Sequence, residues 1–307
     1  MSLERPSKFW RRLGETHEAD LAEYGFENVK RHQALRYFTW SWSWRRIRGS
    51  VQMRFLLRHS GIRTLLRTLV TRGDLSDSAW TGVPWSRPDR WLYVFATRLL
   101  WRYASAHGTP SVMALSEPNL GNPFPVQLDE RLISQDLANT ALEVRAIERA
   151  LAGRAPRSIL EVGAGYGRTA YALLSIFPEA RYIIADIPPA IDISRWYLTS
   201  LFPAERLEFL RPDEVAALGR GSVDLALSIS SLQEMTPEQV DGYLRLFDRV
   251  AAGGTIFLKQ WDRWQNPEDG VEMRFDDYPF PARWRRTFRE RASVQTSFGQ
   301  AGWTVPA

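Results

Sequence analysis

The run Ile159-Leu160-Glu161-Val162-Gly163-Ala164-Gly165-Tyr166-Gly167-Arg168 joins an apolar strand pattern to three alternating glycines. Without Cβ atoms the chain can turn sharply, approach a ligand closely and then present the free N–H groups of a following helix. The spacing is G-x-G-x-G, whereas the dinucleotide fingerprint G-x-G-x-x-G would need glycine where Arg168 stands. A second apolar run, Tyr182-Ile183-Ile184-Ala185, delivers Asp186 and Ile187, with Asp186 23 residues after Gly163. A carboxylate there can accept hydrogen bonds from both hydroxyls of a ribose. The other role open to it is capping the helix that Pro188-Pro189 begins. Asp213, in Arg211-Pro212-Asp213, has a similar choice between an adenine amino group and a helix cap.

Those residues need a scaffold that brings strand ends together. From Arg157 onward short apolar runs alternate with helical stretches, the pattern of parallel strands joined by crossover helices. Strands are expected at 158–162, 182–185, 207–210, 223–229 and 255–258, with helices at 168–177, 191–201, 213–218 and 237–250 between them. The fold class expected is α/β, a doubly wound, mostly parallel, Rossmann-like sheet that binds its ligand at the strands' carboxyl ends. Before residue 150 helical pieces are separated by Pro and Gly breaks, and a helix over 134–151 should lead into the sheet. The division expected is therefore a mainly helical region 1–150, serving as a cap or a binding region, and a ligand-binding domain 151–307.

The 307 residues suffice for one large domain or two modest ones, and 44% hydrophobic content excludes general disorder. The longest apolar stretch, Trp91 to Trp101, is interrupted by Arg98 and is too short to span a bilayer. With no cysteine there is no disulfide, thiolate metal site or cysteine nucleophile. The mixed charges of the first 30 residues lack the apolar core of a secretory signal, so a cytoplasmic location is expected, with peripheral contact at the inner face of a membrane as a further option. Residues 1–150 carry 22 Lys/Arg against 15 Asp/Glu, and no acid occurs between Glu27 and Asp74. Trp40, Trp42 and Trp44 lie in that stretch, and Arg54, Arg58, Arg63 and Arg67 recur at helical spacing among leucines. This reads as a basic amphipathic helix, either a surface for anionic lipid, acidic polysaccharide or nucleotide phosphate, or a solvated helix face.

Glu161 two residues before Gly163, together with the G-x-G-x-G spacing, resembles the first motif of class I S-adenosylmethionine-dependent methyltransferases. The segments 117–125, 133–139, 161–168, 182–189 and 228–235, with Phe257-Leu258-Lys259-Gln260-Trp261, Tyr278-Pro279 and Val294-Gln295-Thr296, are similar to the bacterial sugar O-methyltransferase family. The similarity covers roughly residues 115–298; beyond Phe298, Gly299-Gln300 stands where that pattern has an aromatic residue and an acid. The resemblance implies S-adenosyl-L-methionine as cofactor and S-adenosyl-L-homocysteine as product. Glu161, Gly163, Ala164, Gly165, Gly167, Asp186, Ile187, Asp213 and Ser230 are then the cofactor-binding candidates.

Methyl transfer to a hydroxyl needs an in-line nucleophile and a group to take its proton. Glu234 in Ser230-Ser231-Leu232-Gln233-Glu234 is the first candidate base, with anchoring of a loop or of the methionine amino group as its alternative role. Asp262 is the second, and His107 the third. A divalent metal is an option, with Asp262, Asp269, Glu272, Asp276 and Asp277 clustered after the fifth strand, but their spacing matches no known metal loop. The acceptor implied is a small molecule or glycan, no nucleic acid is expected, and the oligomeric state stays open. Three functions follow: a sugar O-methyltransferase, a methyltransferase with another acceptor, or a non-catalytic protein that binds anionic surfaces and keeps a vestigial nucleotide site.

Overall fold

Apolar residues on strands 158–162, 181–185 and 225–229 are sealed on both faces, as a central parallel sheet requires. The computed structural model describes residues 7–31, 50–70, 87–124, 126–267 and 270–307. Expectations attached to Arg36, Trp40, Trp42, Trp44, Arg45, Arg46, Arg48, Arg72, Asp74 and Asp269 lie outside the described residues.

In chain order the helices are α1 (Lys8–Tyr24), α2 (Val51–His59), α3 (Ile62–Val70), α4 (Arg87–His107), α5 (Pro110–Met113), α6 (Gln135–Leu151), α7 (Arg168–Ile176), α8 (Ala190–Thr199), α9 (Pro212–Val215) and α10 (Pro237–Val250). The strands are β1 (Val126–Leu128), β2 (Arg131–Ile133), β3 (Ser158–Val162), β4 (Arg181–Ala185), β5 (Leu207–Leu210), β6 (Leu225–Ile229), β7 (Thr255–Trp261), β8 (Arg263–Gln265), β9 (Glu272–Arg274), β10 (Arg285–Arg291) and β11 (Phe298–Thr304).

The main sheet has seven strands in the order β10-β11-β7-β6-β3-β4-β5. β5, β4, β3, β6 and β7 run parallel, and β11 and β10 add an antiparallel edge. This is the doubly wound, mostly parallel sheet expected. Strand order reverses between β3 and β6, which opens a crevice at their carboxyl ends. The β10–β11 hairpin was not foreseen: Phe298-Gly299-Gln300-Ala301-Gly302 lacks β-branched residues and alternation, and it pairs because β7 offers a long apolar edge.

Chain contacts divide the protein into two units. One comprises Met1–Ala19, Ala146–Ala292 and Ser297–Ala307, and the other Asp20–Arg145 with Ser293–Thr296. The first twelve residues of α1 thus group with the sheet, although they stand far from it in sequence. The core of the sheet unit includes Leu160, Ile183, Ala226, Leu244, Phe247 and Leu258. Beside it Trp303 packs on Phe280 at 4.8 Å and on Trp284 at 5.7 Å. In the other unit the buried pair Lys30–Glu117 (2.7 Å) is completed by the Ser134 hydroxyl, which donates to Glu117 at 2.6 Å and accepts from the Leu137 N–H as the cap of α6. The expected basic helix over 54–69 is two helices: Ser60-Gly61 interrupts it, and Ser60 turns to an extended backbone. No helix of the described residues is long and apolar enough to cross a membrane.

Candidate functional site

β3 ends at Val162, and the next turns use positive φ at Gly163 (78°), Gly165 (60°) and Gly167 (93°), a region that side-chain-bearing residues avoid. Gly167 precedes α7, so the loop passes straight into a helix N-terminus. Asp186, at the exit of the neighbouring β4, ties this loop down. Its Oδ2 accepts from the Gly165 N–H at 3.0 Å and its Oδ1 from the Ile187 N–H at 2.8 Å. A carboxylate has about four acceptor positions, so these bonds leave it further capacity to accept. Part of Asp186 faces solvent, yet desolvation by the surrounding protein pushes its carboxyl up to about 7, against the lowering pull of the Ile187, Gly165 and Ala164 N–H groups. The buried Tyr243 of α10 lies close enough that the Asp186 charge adds to the rise that burial imposes on its phenol. Asp186 does not act as a helix cap: Pro189 occupies that position before α8, with no side-chain bond.

A cavity of about 610 Å³ opens just past Asp186, lined by Ile187, Pro188 and Asp213 and, from α1, by Trp10, Arg11, Gly14, Glu15 and Glu18. These α1 residues share one helix face. A Cβ on Gly14 would lie 4.0 Å from the Pro188 carbonyl, so the helix comes close to the β4 exit. Asp213 is exposed, and the cap role considered for it falls to Glu214, whose Oε2 accepts from the Arg211 N–H at 2.7 Å.

At the β6 exit Ser230 takes a positive φ of 59° and its N–H bonds to Lys259 O at 2.7 Å. Ser231 follows, packed where a Gly163 side chain would stand. Gln260 on β7 locks the turn, accepting from the Ser231 N–H at 3.1 Å and donating to Ser228 O at 3.0 Å. Gln233 donates through Nε2 to Ser230 Oγ at 3.2 Å, while its buried Oε1 has no hydrogen-bond partner. Glu234 is buried, and the Ser7 hydroxyl, which also accepts from the Trp10 N–H of α1, donates to its backbone carbonyl at 2.9 Å. The Tyr278 hydroxyl is buried without a partner, and its phenol is raised first by burial and then by the charge of Glu234. Gln233 Oε1 and the Tyr278 hydroxyl are thus two buried polar atoms with no protein partner, each an unmet hydrogen bond worth about 1–3 kcal/mol.

The remaining candidates are placed differently. Glu161 is 1% exposed and accepts from the Tyr182 hydroxyl at 2.7 Å, so it ties β3 to the neighbouring β4 inside the protein. Asp262 is ion-paired to Arg289 at 2.7 Å and to Arg291 at 3.4 Å, and Arg289 also holds Asp276 at 2.8 Å. The same cluster explains Gly299, because any Cβ there would overlap Asp262 Oδ1. His107 belongs to the other unit, where it is exposed in the last turn of α4 and its ring lies 4.3 Å from that of Tyr103. Among the described residues no group of three or more His, Asp or Glu could hold a metal ion.

No family model matches the chain, and no curated protein does. Among solved structures it is similar to the [4+2]-cyclase SpnF, with 15% identity over 56% of this chain and 83% of that one at a TM-score of 0.47. It is also similar to the Burkholderia thailandensis 1,6-didemethyltoxoflavin-N1-methyltransferase, whose structure holds 1,6-didemethyltoxoflavin and S-adenosylhomocysteine (20% identity, 53% of this chain, 76% of that one, TM-score 0.39). A third is a SAM-dependent methyltransferase from Aquifex aeolicus (17% identity, 53% and 88%, TM-score 0.41).

Within this chain, the candidate residues fall along the strand exits: Asp186 and the cavity at β4 and β5, the glycine loop at β3, and buried Gln233 and Glu234 after β6.

Proposed function

We propose that the protein is an S-adenosylmethionine-dependent O-methyltransferase acting on a sugar hydroxyl. The observation that carries the cofactor assignment is the Asp186 carboxylate, bound by the Gly165 and Ile187 N–H groups beside the 610 Å³ cavity. The residues fit the group: the glycine loop admits a ligand against bare backbone, Asp186 keeps lone pairs for ribose hydroxyls, and Asp213 lines the adenine side. Gln233 Oε1 is left to meet the amino-acid end. Bound there, the cofactor supplies a methyl group on a sulfonium, already activated for in-line transfer. Glu234, buried at the β6 exit, is the residue assigned to take the acceptor hydroxyl's proton while the methyl passes from sulfur to oxygen and S-adenosylhomocysteine leaves. Asp262 is assigned to hold the β7 exit through its ion pairs with Arg289 and Arg291. The sugar assignment rests on the resemblance of residues 115–298 to the sugar O-methyltransferases; other oxygen, nitrogen or carbon acceptors are what the assay discriminates.

Three experiments test this reading. S-adenosylhomocysteine should raise the melting temperature, as a ligand that binds only the folded state must; no shift at saturating concentration would remove the cofactor. Incubation with methyl-labelled cofactor and a panel of free, nucleotide-linked and polymeric sugars should label at least one, and label found only on amine acceptors would overturn the sugar assignment. Asp186→Ala should weaken S-adenosylhomocysteine binding by about 1–3 kcal/mol, roughly 5- to 150-fold, by removing a charged acceptor from partly buried hydroxyls. An unchanged dissociation constant in calorimetry would take Asp186 out of the ribose site.

The raised carboxyl of Asp186 adds a pH dependence with a definite sign. Its ionised form accepts both ribose hydroxyls, so affinity should fall as pH drops through about 7 and the group takes up a proton. Binding at pH 6 should then release a proton, seen as a buffer-dependent binding enthalpy. Affinity that stays level between pH 8 and pH 5.5 would contradict it.

A further inference from the structure

In α3 the polar and apolar faces are inverted. Thr68 is 2% exposed and donates to Thr64 O at 2.7 Å, whereas Ile62 is 74%, Leu66 56%, Leu69 49% and Val70 80% exposed. These four positions, i, i+4, i+7 and i+8, form one stripe along the helix. Leu57 at the end of α2 is 46% exposed as well. The helix packs on α4 of its own unit with Thr68 as its buried side chain, and its apolar stripe stays exposed. An apolar stripe in water has no stabilising role, because burying each such side chain is worth about 1.5–3 kcal/mol.

What the stripe meets can be read from its edge. Arg63 and Arg67 flank it on α3, Arg54 and Arg58 are exposed on α2, and the sequence holds no acid anywhere between Glu27 and Asp74. A second copy of the chain is a poor occupant: a two-fold interface sets a patch against itself, and arginine would face arginine. A surface that is apolar below and anionic above satisfies both halves of the stripe. We propose that α2 and α3 form a docking surface for a bilayer containing anionic lipid, with Ile62, Leu66, Leu69 and Val70 entering the acyl boundary and the arginines resting among phosphate headgroups. Shallow helices of this composition bind by buried apolar area together with charge attraction, so neither part alone should suffice. The proposal does not depend on the cofactor site, and its test does not use it.

The experiment is sedimentation of the full chain with vesicles of phosphatidylcholine alone or mixed with phosphatidylglycerol. Binding is expected to the mixed vesicles only, and it should fall steeply as salt rises from about 0.01 to about 1 M, over which the screening length shrinks tenfold. Leu66→Gln with Val70→Thr should lower partitioning at least about tenfold, and Arg58→Ser with Arg63→Ser about fivefold per arginine. All four side chains are exposed, so each variant should keep the parent melting temperature, and Ile62→Gln offers an independent reading at the same stripe. Three results would each overturn the proposal: no sedimentation with mixed vesicles at low salt; binding that loses salt sensitivity or survives the apolar substitutions unchanged; or lipid-free protein that is a dimer by light scattering and becomes monomeric with Leu66→Gln and Val70→Thr.

Discussion

Gly163→Ala should cost the protein both stability and its ligand site. The residue has φ 78°, and an added Cβ would overlap Ser231 Oγ and Cβ. Backbone strain contributes about 1–3 kcal/mol and overpacking a similar amount, so the melting temperature should fall by roughly 5–20 °C. Gly153 is the control, because its φ is 84° but nothing lies within 4 Å of an added Cβ. Gly153→Ala should therefore show the backbone part alone, about 1 kcal/mol. Combining Gly163→Ala with Ser231→Gly should recover the steric part of the loss. A Gly163→Ala protein that melts like the parent and binds S-adenosylhomocysteine normally would refute the assignment of this loop as the cofactor turn.

Glu234→Gln should lower turnover on any labelled acceptor by about 10²–10⁴-fold and leave S-adenosylhomocysteine affinity nearly unchanged. The substitution keeps size and removes only the basic oxygen, while the Ser7 bond to the Glu234 backbone carbonyl is untouched. If the carboxylate instead anchors the cofactor's amino group, affinity falls and turnover at saturation survives. Asp262→Asn separates the two acids. It should leave turnover within a few fold and lower stability slightly, since its ion pairs to Arg289 and Arg291 are partly exposed and such pairs contribute about 0–1 kcal/mol. A loss of turnover in Asp262→Asn alone would reverse the roles.

The glycine turn was legible in the sequence because its geometry is local: strand, turn and helix follow one another within ten residues, and only glycine takes positive φ at no steric cost. The parallel sheet was legible for a similar reason, since strands buried on both faces read as continuous apolar runs. Other features depend on residues remote in sequence. Asp262 and Glu234 both follow apolar strands, and only the fold sets two guanidinium groups against one and an open tyrosine hydroxyl beside the other. Arg289 reaches Asp262 from a strand whose own pattern announces nothing. α1 carried no motif, yet Trp10, Gly14 and Glu18 line the cavity, because a helix face becomes a wall only when a partner lies opposite. The same holds for α3. Its sequence declares that two faces differ, and burial of Thr68 with exposure of Leu66 was decided by which face met α4, a matter of tertiary packing that periodicity does not encode.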